Sequence, residues 1–385
     1  MLHTTIAEDA STAHPSRRLR ILHILRAPLG GLFRHVCDLA LEQTRMGHSV
    51  GIVCDAHAAS PQCEIKLERI GTALALGVHR VAMSRLLGPR DISALAAIRK
   101  LAVKLQPDVL HGHGAKGGAY ARLLPKAPGC IALYTPHGGA LHYTWASLSG
   151  MVFLGLEKLL KARTDGLVFE SQFGGEIYEQ KIGSHSCPAR IVPNGLADGD
   201  FAPLEPSEPP YDAVFVGELR KLKGVGTLID AVAEFAADRP FKLAIAGSGP
   251  DEEYFRSEVA ERGLEDNIVF LGHRPAREVF AKGRMIVVPS YAESFPYIVL
   301  EAIASERPVV ATKVGGIPEI FGAYADALVP PGDAAALAKA MRNALYRPAP
   351  ARARSVALKE RARGLFSAKI MAREVTRFYR ELKRA

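Results

Sequence analysis

The chain has 385 residues, enough for two domains that each bury a full core. Hydrophobic residues make up 48% and charged residues 23%, which excludes a disordered or fibrous chain. The net charge is +9 and sits mainly in the first half, where residues 1–190 carry 22 Lys and Arg against 14 Asp and Glu. Such a half suits an anionic membrane surface or a phosphorylated substrate, whereas 7% aromatics without basic-aromatic interleaving disfavour nucleic acid.

In chain order, residues 1–16 mix small, polar and acidic residues and lack the basic start and apolar centre of a secretory signal, so a loose tail is expected. From LRILHIL onward, apolar runs alternate with helical patterns. That alternation predicts an α/β architecture of parallel sheets with helices on both faces. The first run leads through Gly30 and Gly31 into a helical pattern, and HSVGIVC, PDVLHGHG, IALYTPHGG and DGLVFES follow as strands. No apolar run reaches the roughly 18 residues that suggest a membrane span. WASLSGMVFLGLEKLLK, from Trp145, reads as a core helix first and as a membrane-surface helix second. Cys37, Cys54, Cys63, Cys130 and Cys187 are scattered and without CxxC spacing, which fits reduced thiols in a cytoplasm.

Five prolines between Pro193 and Pro210 mark a linker, after which a second series begins: DAVFVG, FKLAIAGSGP, NIVFLGH, RMIVVPS and RPVVATKVGG. The stretch from Ala351 to Ala385 has the spacing of long amphipathic helices. The expectation is two doubly wound, Rossmann-like domains, 17–190 and 191–365, facing a central cleft at their strand ends, where such sheets gather ligands.

The stretch SYAESFPYIVLEA, Ser290 to Ala302, carries two carboxylates around a Phe-Pro pair. Proline suits the first helical position, so Ser294 or Phe295 is the expected cap, Glu293 lies in the entering loop and Glu301 in the second turn. Amide groups near Phe295, Tyr297 and Ile298 would suit phosphate oxygens. A carboxylate can accept from both hydroxyls of a diol, so Glu293 could take a sugar and Glu301, roughly 7.5 Å up the helix, a ribose. Arg220 and Lys223 follow a strand and precede a helix, where they can neutralise a diphosphate without a metal. Gly30 and Gly31 would let backbone approach a phosphate, and serve equally well as a plain tight turn. His111 and His113 end a strand, but metal ligation needs a third partner. His137 ends the next one. AGSGPDE lacks the third glycine of the dinucleotide fingerprint, and no P-loop, GxSxG elbow or HExxH site is present.

The ordered set resembles the retaining nucleotide-sugar glycosyltransferases of family four, which have the GT-B fold. Its most specific part is the Glu-x7-Glu segment Glu293–Glu301 followed by GGIPE, Gly315–Glu319; PNG (193–195), GELRKLKG (217–224), AGSGP (246–250) and the early glycine pair support it. The resemblance implies sugar transfer from a nucleoside diphosphate-sugar to a hydroxyl with retained configuration, and no metal or other cofactor. It assigns catalysis to His137, Glu293, Lys223 and Arg220, with Glu293 on the donor sugar. Donor contacts are implied for Gly30, Gly31, Gly217, His273, Arg274, Ser294, Phe295, Pro296, Tyr297, Ile298 and Glu301: Glu301 on the ribose, Gly31 with Lys223 on the diphosphate, and the turn His273–Pro275 on the base. One departure is Glu218, where many relatives have Arg; Arg220 stands two positions later. It further implies that residues 366–385 form a helix packed back on the first domain. DVLHGHGAKGGAYARLLP resembles members that build bacterial surface polysaccharides, which implies a lipid-linked glycan acceptor, an anionic membrane surface, and a cytoplasmic protein peripheral at the inner face of the membrane. A GT-B epimerase or phosphorylase, or a non-catalytic sugar-nucleotide binder, are the alternatives.

Overall fold

The computed structural model describes residues 17–57, 60–205, 210–236 and 240–384, so the expected tail 1–16 lies outside the described residues. Seven parallel strands form the first sheet: β1 (Arg20–Leu25), β2 (Ser49–Asp55), β3 (Gly77–Val81), β4 (Val109–His113), β5 (Ile131–Thr135), β6 (Gly166–Phe169) and β7 (Ala189–Ile191), in the order β3-β2-β1-β4-β5-β6-β7. Five more form the second: β8 (Tyr211–Val216), β9 (Leu243–Ala246), β10 (Ile268–Gly272), β11 (Gly283–Val288) and β12 (Val309–Ala311), in the order β10-β9-β8-β11-β12. Every residue of β2, β4, β5, β6 and β9 is buried, which is why these segments read as mainly apolar runs rather than alternating ones, with His111 and His113 of β4 as buried exceptions.

Both sheets reverse direction of growth at a single point, between β1 and β4 in the first and between β8 and β11 in the second. Crevices open at such points. The carboxyl ends of these four strands lead to Gly30 and Gly31 at a helix start, to His113 as the last residue of β4, to the segment Gly217–Lys223, and to the segment Ser290–Pro296. Sheet topology therefore gathers residues that are up to 266 positions apart in the chain, Gly30 and Pro296.

Two local expectations change. The linker texture that begins at ARIVPNG conceals β7, a short strand whose Ala189, Arg190 and Ile191 pair with Leu167, Val168 and Phe169. The helix expected after the Phe-Pro pair spans Tyr297–Ala304, and Pro296 itself is the cap residue, with φ −75° and ψ 125°, in place of Ser294 or Phe295. Its carbonyl accepts from the amides of Val299 and Leu300, so those of Tyr297 and Ile298 have no acceptor within the helix.

The last helix, Ala368–Leu382, buries Met371, Ala372, Val375, Phe378 and Tyr379 in the core of the first domain, beside Leu19, Ile21, Val36 and Leu39. At about 2 kcal/mol for each large apolar side chain, burial alone anchors it there. The Leu148–Leu160 helix divides by face. Leu154 and Leu160 are in the core, while Leu148 is 79% and Leu159 73% exposed, with Met151 and Val152 also outward. The core-helix reading thus describes one side only. Among the described residues no helix is long and apolar enough to cross a membrane.

Candidate active site

Two compartments meet in the cleft between the domains. One, of about 260 Å³, is lined by Gly31, Arg220, Lys223, Phe295, Pro296 and Tyr297 among others. Its neighbour, of about 340 Å³, has largely apolar walls that include Leu141, Phe169, Phe173, Ile177, Tyr291 and Val314. His137, Glu170, Ala292, Glu293 and Ser294 line both. These five residues stand on the boundary shared by the two compartments, where any passage between them would lie.

The polar compartment is built from loop geometry. Lys223 sits in a short 3-10 turn, Lys221–Lys223, that Gly224 closes at φ +70°. A Cβ on Gly224 would stand 1.9 Å from the Pro289 carbonyl oxygen, so only glycine lets the β8 loop pass under the β11 loop. That crossing delivers the Lys223 ammonium to Glu293 Oε1 at 2.7 Å, and Ser290 Oγ donates to the same oxygen at 2.7 Å. One Lys223 hydrogen is used, and two remain for an incoming anion. Arg220 is half exposed and 3.8 Å from Glu218, so it faces the compartment loosely held.

Of the residues expected to touch a donor, the fold brings together Gly31, His137, Arg220, Lys223, Glu293, Ser294, Phe295, Pro296 and Tyr297. Gly30 opens the adjoining helix at φ +65°, and Gly217 lies one residue before Glu218, which does line the compartment. His273 and Arg274 lie on the exposed turn after β10, outside the lining, and Ile298 and Glu301 are outside it too. Glu301 pairs with Arg34 of the first domain, which also pairs with Asp200 at 2.5 Å and Asp38 at 3.3 Å. The Arg34 guanidinium also lies 4.8 Å over the Tyr297 ring.

Sequence reasoning missed several residues that join the domains. Glu170, just past β6, is 6% exposed; its Oε1 accepts from His137 Nδ1 at 2.6 Å and Asn194 Nδ2 at 3.1 Å, and its Oε2 accepts from Ser294 Oγ at 3.2 Å. Desolvation opposes its charge, but the neighbouring His137 and these hydrogen bonds prevail and hold the carboxyl down at about 2. Asn194 donates to the Phe295 carbonyl at 2.7 Å, and Glu319 accepts the amides of Gln172 and Phe173 at 2.8 and 2.9 Å, capping a helix of the other domain. The signal for Glu170 was the strand-end acid in GLVFES. Asn194 and Glu319 lay within quoted motifs, but which partner each would meet depends on the interdomain geometry.

Behind His137 lies a buried histidine cluster. His113 Nδ1 is 3.0 Å from His137 Nε2, His113 Nε2 is 3.0 Å from His23 Nδ1, and His23 Nε2 is 2.9 Å from Gln43 Oε1. The third nitrogen that His111 and His113 lacked in the sequence is present in space on His23. Each ring nitrogen of that trio already has a protein partner, for His111 binds Tyr379 OH at 2.6 Å and Thr135 Oγ1 at 2.8 Å. A cation there would have to displace these bonds.

Burial holds the His23 ring down at about 4 and the His35 ring at about 3, and pushes His111 and His113 well below the ordinary value of 6.5. Below pH 6.5 the unfolded chain binds protons that the native rings refuse, so stability falls as pH drops from 6.5 toward 4, by about 1.4 kcal/mol per pH unit per histidine. Glu170, also held down, acts in the same sense but at lower pH: its contribution is intact above its unfolded value of 4.5 and is lost as pH falls from there toward 2. Urea midpoints measured at pH 7, 6 and 5 should fall steeply, with more than one proton taken up on unfolding. A flat profile would mean that these rings are not buried neutral.

The comparisons with known proteins agree with this architecture. The family model "Glycosyltransferase Family 4" matches residues 29–198, and "Glycosyl transferases group 1" matches residues 210–347, so that between them they take in most of both domains. The chain is 26% identical over 383 residues to the glycogen synthase of Mycobacterium tuberculosis, covering 92% of each. It is 26% identical over 362 residues to the D-inositol 3-phosphate glycosyltransferase of Acidothermus cellulolyticus, covering 82% of this chain and 79% of that one. Among solved structures, Anabaena HepE in complex with UDP-glucose superposes with a TM-score of 0.78 at 18% identity, over 94% of this chain and 100% of that one. The sucrose-phosphate synthase of Thermosynechococcus elongatus gives 0.73 at 24%, over 94% and 99%.

Two facing doubly wound domains with these matches define a glycosyltransferase of the GT-B fold. Within that class, the pairing of the two family models along one chain places the protein in family four: it is a GT4-type glycosyltransferase.

Proposed function

We propose that the protein transfers a sugar from a nucleoside diphosphate-sugar to a hydroxyl acceptor, with the anomeric configuration retained. The observation that carries this reading is the Lys223–Glu293 pair, set beside the free amide tips of the Tyr297–Ala304 helix and facing Gly31 across one cleft. A diphosphate fits between the Lys223 ammonium, the Arg220 guanidinium and those amides, and Glu293 is next to it for a sugar diol. Their charge complements the leaving group without a metal, so transfer should survive EDTA.

Retention follows from a front-face path: the departing diphosphate takes the acceptor proton while Lys223 and Arg220 stabilise the charge that develops on it. His137 does not act as a nucleophile on this path. Its two ring nitrogens are committed to Glu170 and His113, so its contribution is to shape the passage between the compartments. The apolar compartment receives the acceptor. Its walls, together with the outward Leu148, Met151, Val152 and Leu159 and the basic first domain, favour an amphiphilic acceptor such as a lipid-linked glycan at an anionic membrane surface.

The test is a thermal-shift screen with nucleoside diphosphates and their sugars, beginning with UDP and UDP-glucose because a structural neighbour is described with both. It is followed by turnover with the stabilising donor and NMR of the product anomer. Retained configuration supports the reading. Product formed from the donor alone would indicate an epimerase, and binding without turnover on any lipid or sugar acceptor would indicate a binder.

A further inference from the structure

Glu170 stands where three parts of the chain converge. One carboxylate accepts from His137 of the first domain, Asn194 of the linker and Ser294 of the second domain. It also belongs to the five residues shared by the two compartments. We propose that Glu170 is a positioning residue for glycosyl transfer, fixing one tautomer and one orientation of His137 and tying that ring to the Ser294 loop beside Glu293, so that the passage takes its reactive shape only when the domains meet.

The chemistry of the contacts supports this. An ionised carboxylate only accepts, so the proton in the His137–Glu170 contact is on Nδ1. On the far side, the ring abuts His113, and behind it His23 and Gln43 complete an unbroken row of hydrogen-bonded contacts. The ring is thus held from both ends. The backbone at His137 adopts φ +52°, a left-handed conformation that costs a side-chain-bearing residue about 1 kcal/mol or more. Pro136, His137 and Gly138 all line the apolar compartment, so the strained turn is itself part of the passage wall. Ser294 adds the second domain: it follows Glu293 directly, and its carbonyl accepts the Gly316 amide at 2.7 Å. A separation of the domains breaks the Ser294 contact while leaving Glu170 on His137.

This inference rests on the glycosyl-transfer reading above, and the experiment separates the two. Glu170→Gln keeps an oxygen acceptor for His137 and Asn194 and offers its amide to the Ser294 hydroxyl, whereas Glu170→Ala removes every contact. With wild-type transfer established, Glu170→Ala should lower kcat about 100-fold with donor KM within threefold, and Glu170→Gln should restore kcat to within tenfold of wild type. Nitrogen-15 histidine NMR supplies a readout independent of turnover: the His137 Nδ1–H signal, assigned by its loss in His137→Asn, should persist in Glu170→Gln and vanish in Glu170→Ala. If Glu170→Ala fails to fold, Ser294→Ala is substituted; it should lower kcat several-fold while leaving the Nδ1–H signal in place. An unchanged kcat in Glu170→Ala, equal losses in Gln and Ala, an unchanged kcat in Ser294→Ala, or a His137 ring protonated on Nε2 alone would each overturn the proposal. An inactive wild type that still shows the Nδ1–H signal would instead remove the transfer reading.

Discussion

Replacing Lys223 with Ala should lower transfer 100- to 1,000-fold in a protein that still folds, the range seen when one preorganised donor to a developing negative charge is lost. The side chain is 27% exposed and ends a surface loop, so its removal opens no core cavity. Two consequences of the substitution act together. The diphosphate loses its nearest cation, and Glu293, only 10% exposed, keeps Ser290 as a neutral partner but loses its ionic one. Lys223→Arg should recover little, because a planar fork cannot reproduce a point charge that also reaches Glu293 at 2.7 Å. Donor turnover and thermal midpoint measured on the same preparations separate a site effect from unfolding. Near-normal turnover in Lys223→Ala would remove the residue from the reaction.

Gly315→Ala is expected to be nearly as damaging although no chemistry is deleted. Gly315 adopts φ +55°, and a Cβ there would fall 1.7 Å from the Glu293 carbonyl oxygen, with the carbonyl carbon at 2.7 Å. Backbone, unlike a side-chain tip, cannot swing aside, so the loop carrying Glu293 and Ser294 must shift. A displacement of about 1 Å at a reacting site can cost 100-fold in rate. The left-handed conformation adds strain of about 1 kcal/mol or more. The expected outcome is a fall in kcat on the order of 100-fold together with a lowered thermal midpoint; full activity would show that the Glu293 loop tolerates movement.

The fold and the site were legible in the sequence to different degrees. Ten strands were legible as apolar runs, most of them because parallel strands covered on both faces are continuous apolar runs, and the alternation with helical patterns fixed their parallel sense; β10 is a partly exposed edge strand whose sequence is nonetheless apolar. The two strands that were missed, β3 and β7, are the edges of the first sheet, and their partial exposure leaves no such run. The loop residues of the cleft were recognisable because topology places strand ends there. What no single segment could reveal was interdomain pairing. Arg34 pairs with Glu301, Glu319 caps a helix in the opposite domain, and Glu170 joins three parts of the chain, each through at least one contact more than 100 residues apart. His23 completes the buried histidine row within the first domain, through sheet order: in-register pairing of β1 and β4 sets His23 against His111, 88 positions away.

A crystal structure with a nucleoside diphosphate-sugar bound is the most direct test. The site described here predicts the diphosphate within hydrogen-bonding distance of Lys223 Nζ and the Tyr297 and Ile298 amides, and the sugar against Glu293 at the mouth of the apolar compartment. A donor seated elsewhere, with Lys223 and Glu293 still paired to each other and touching no ligand, would contradict it.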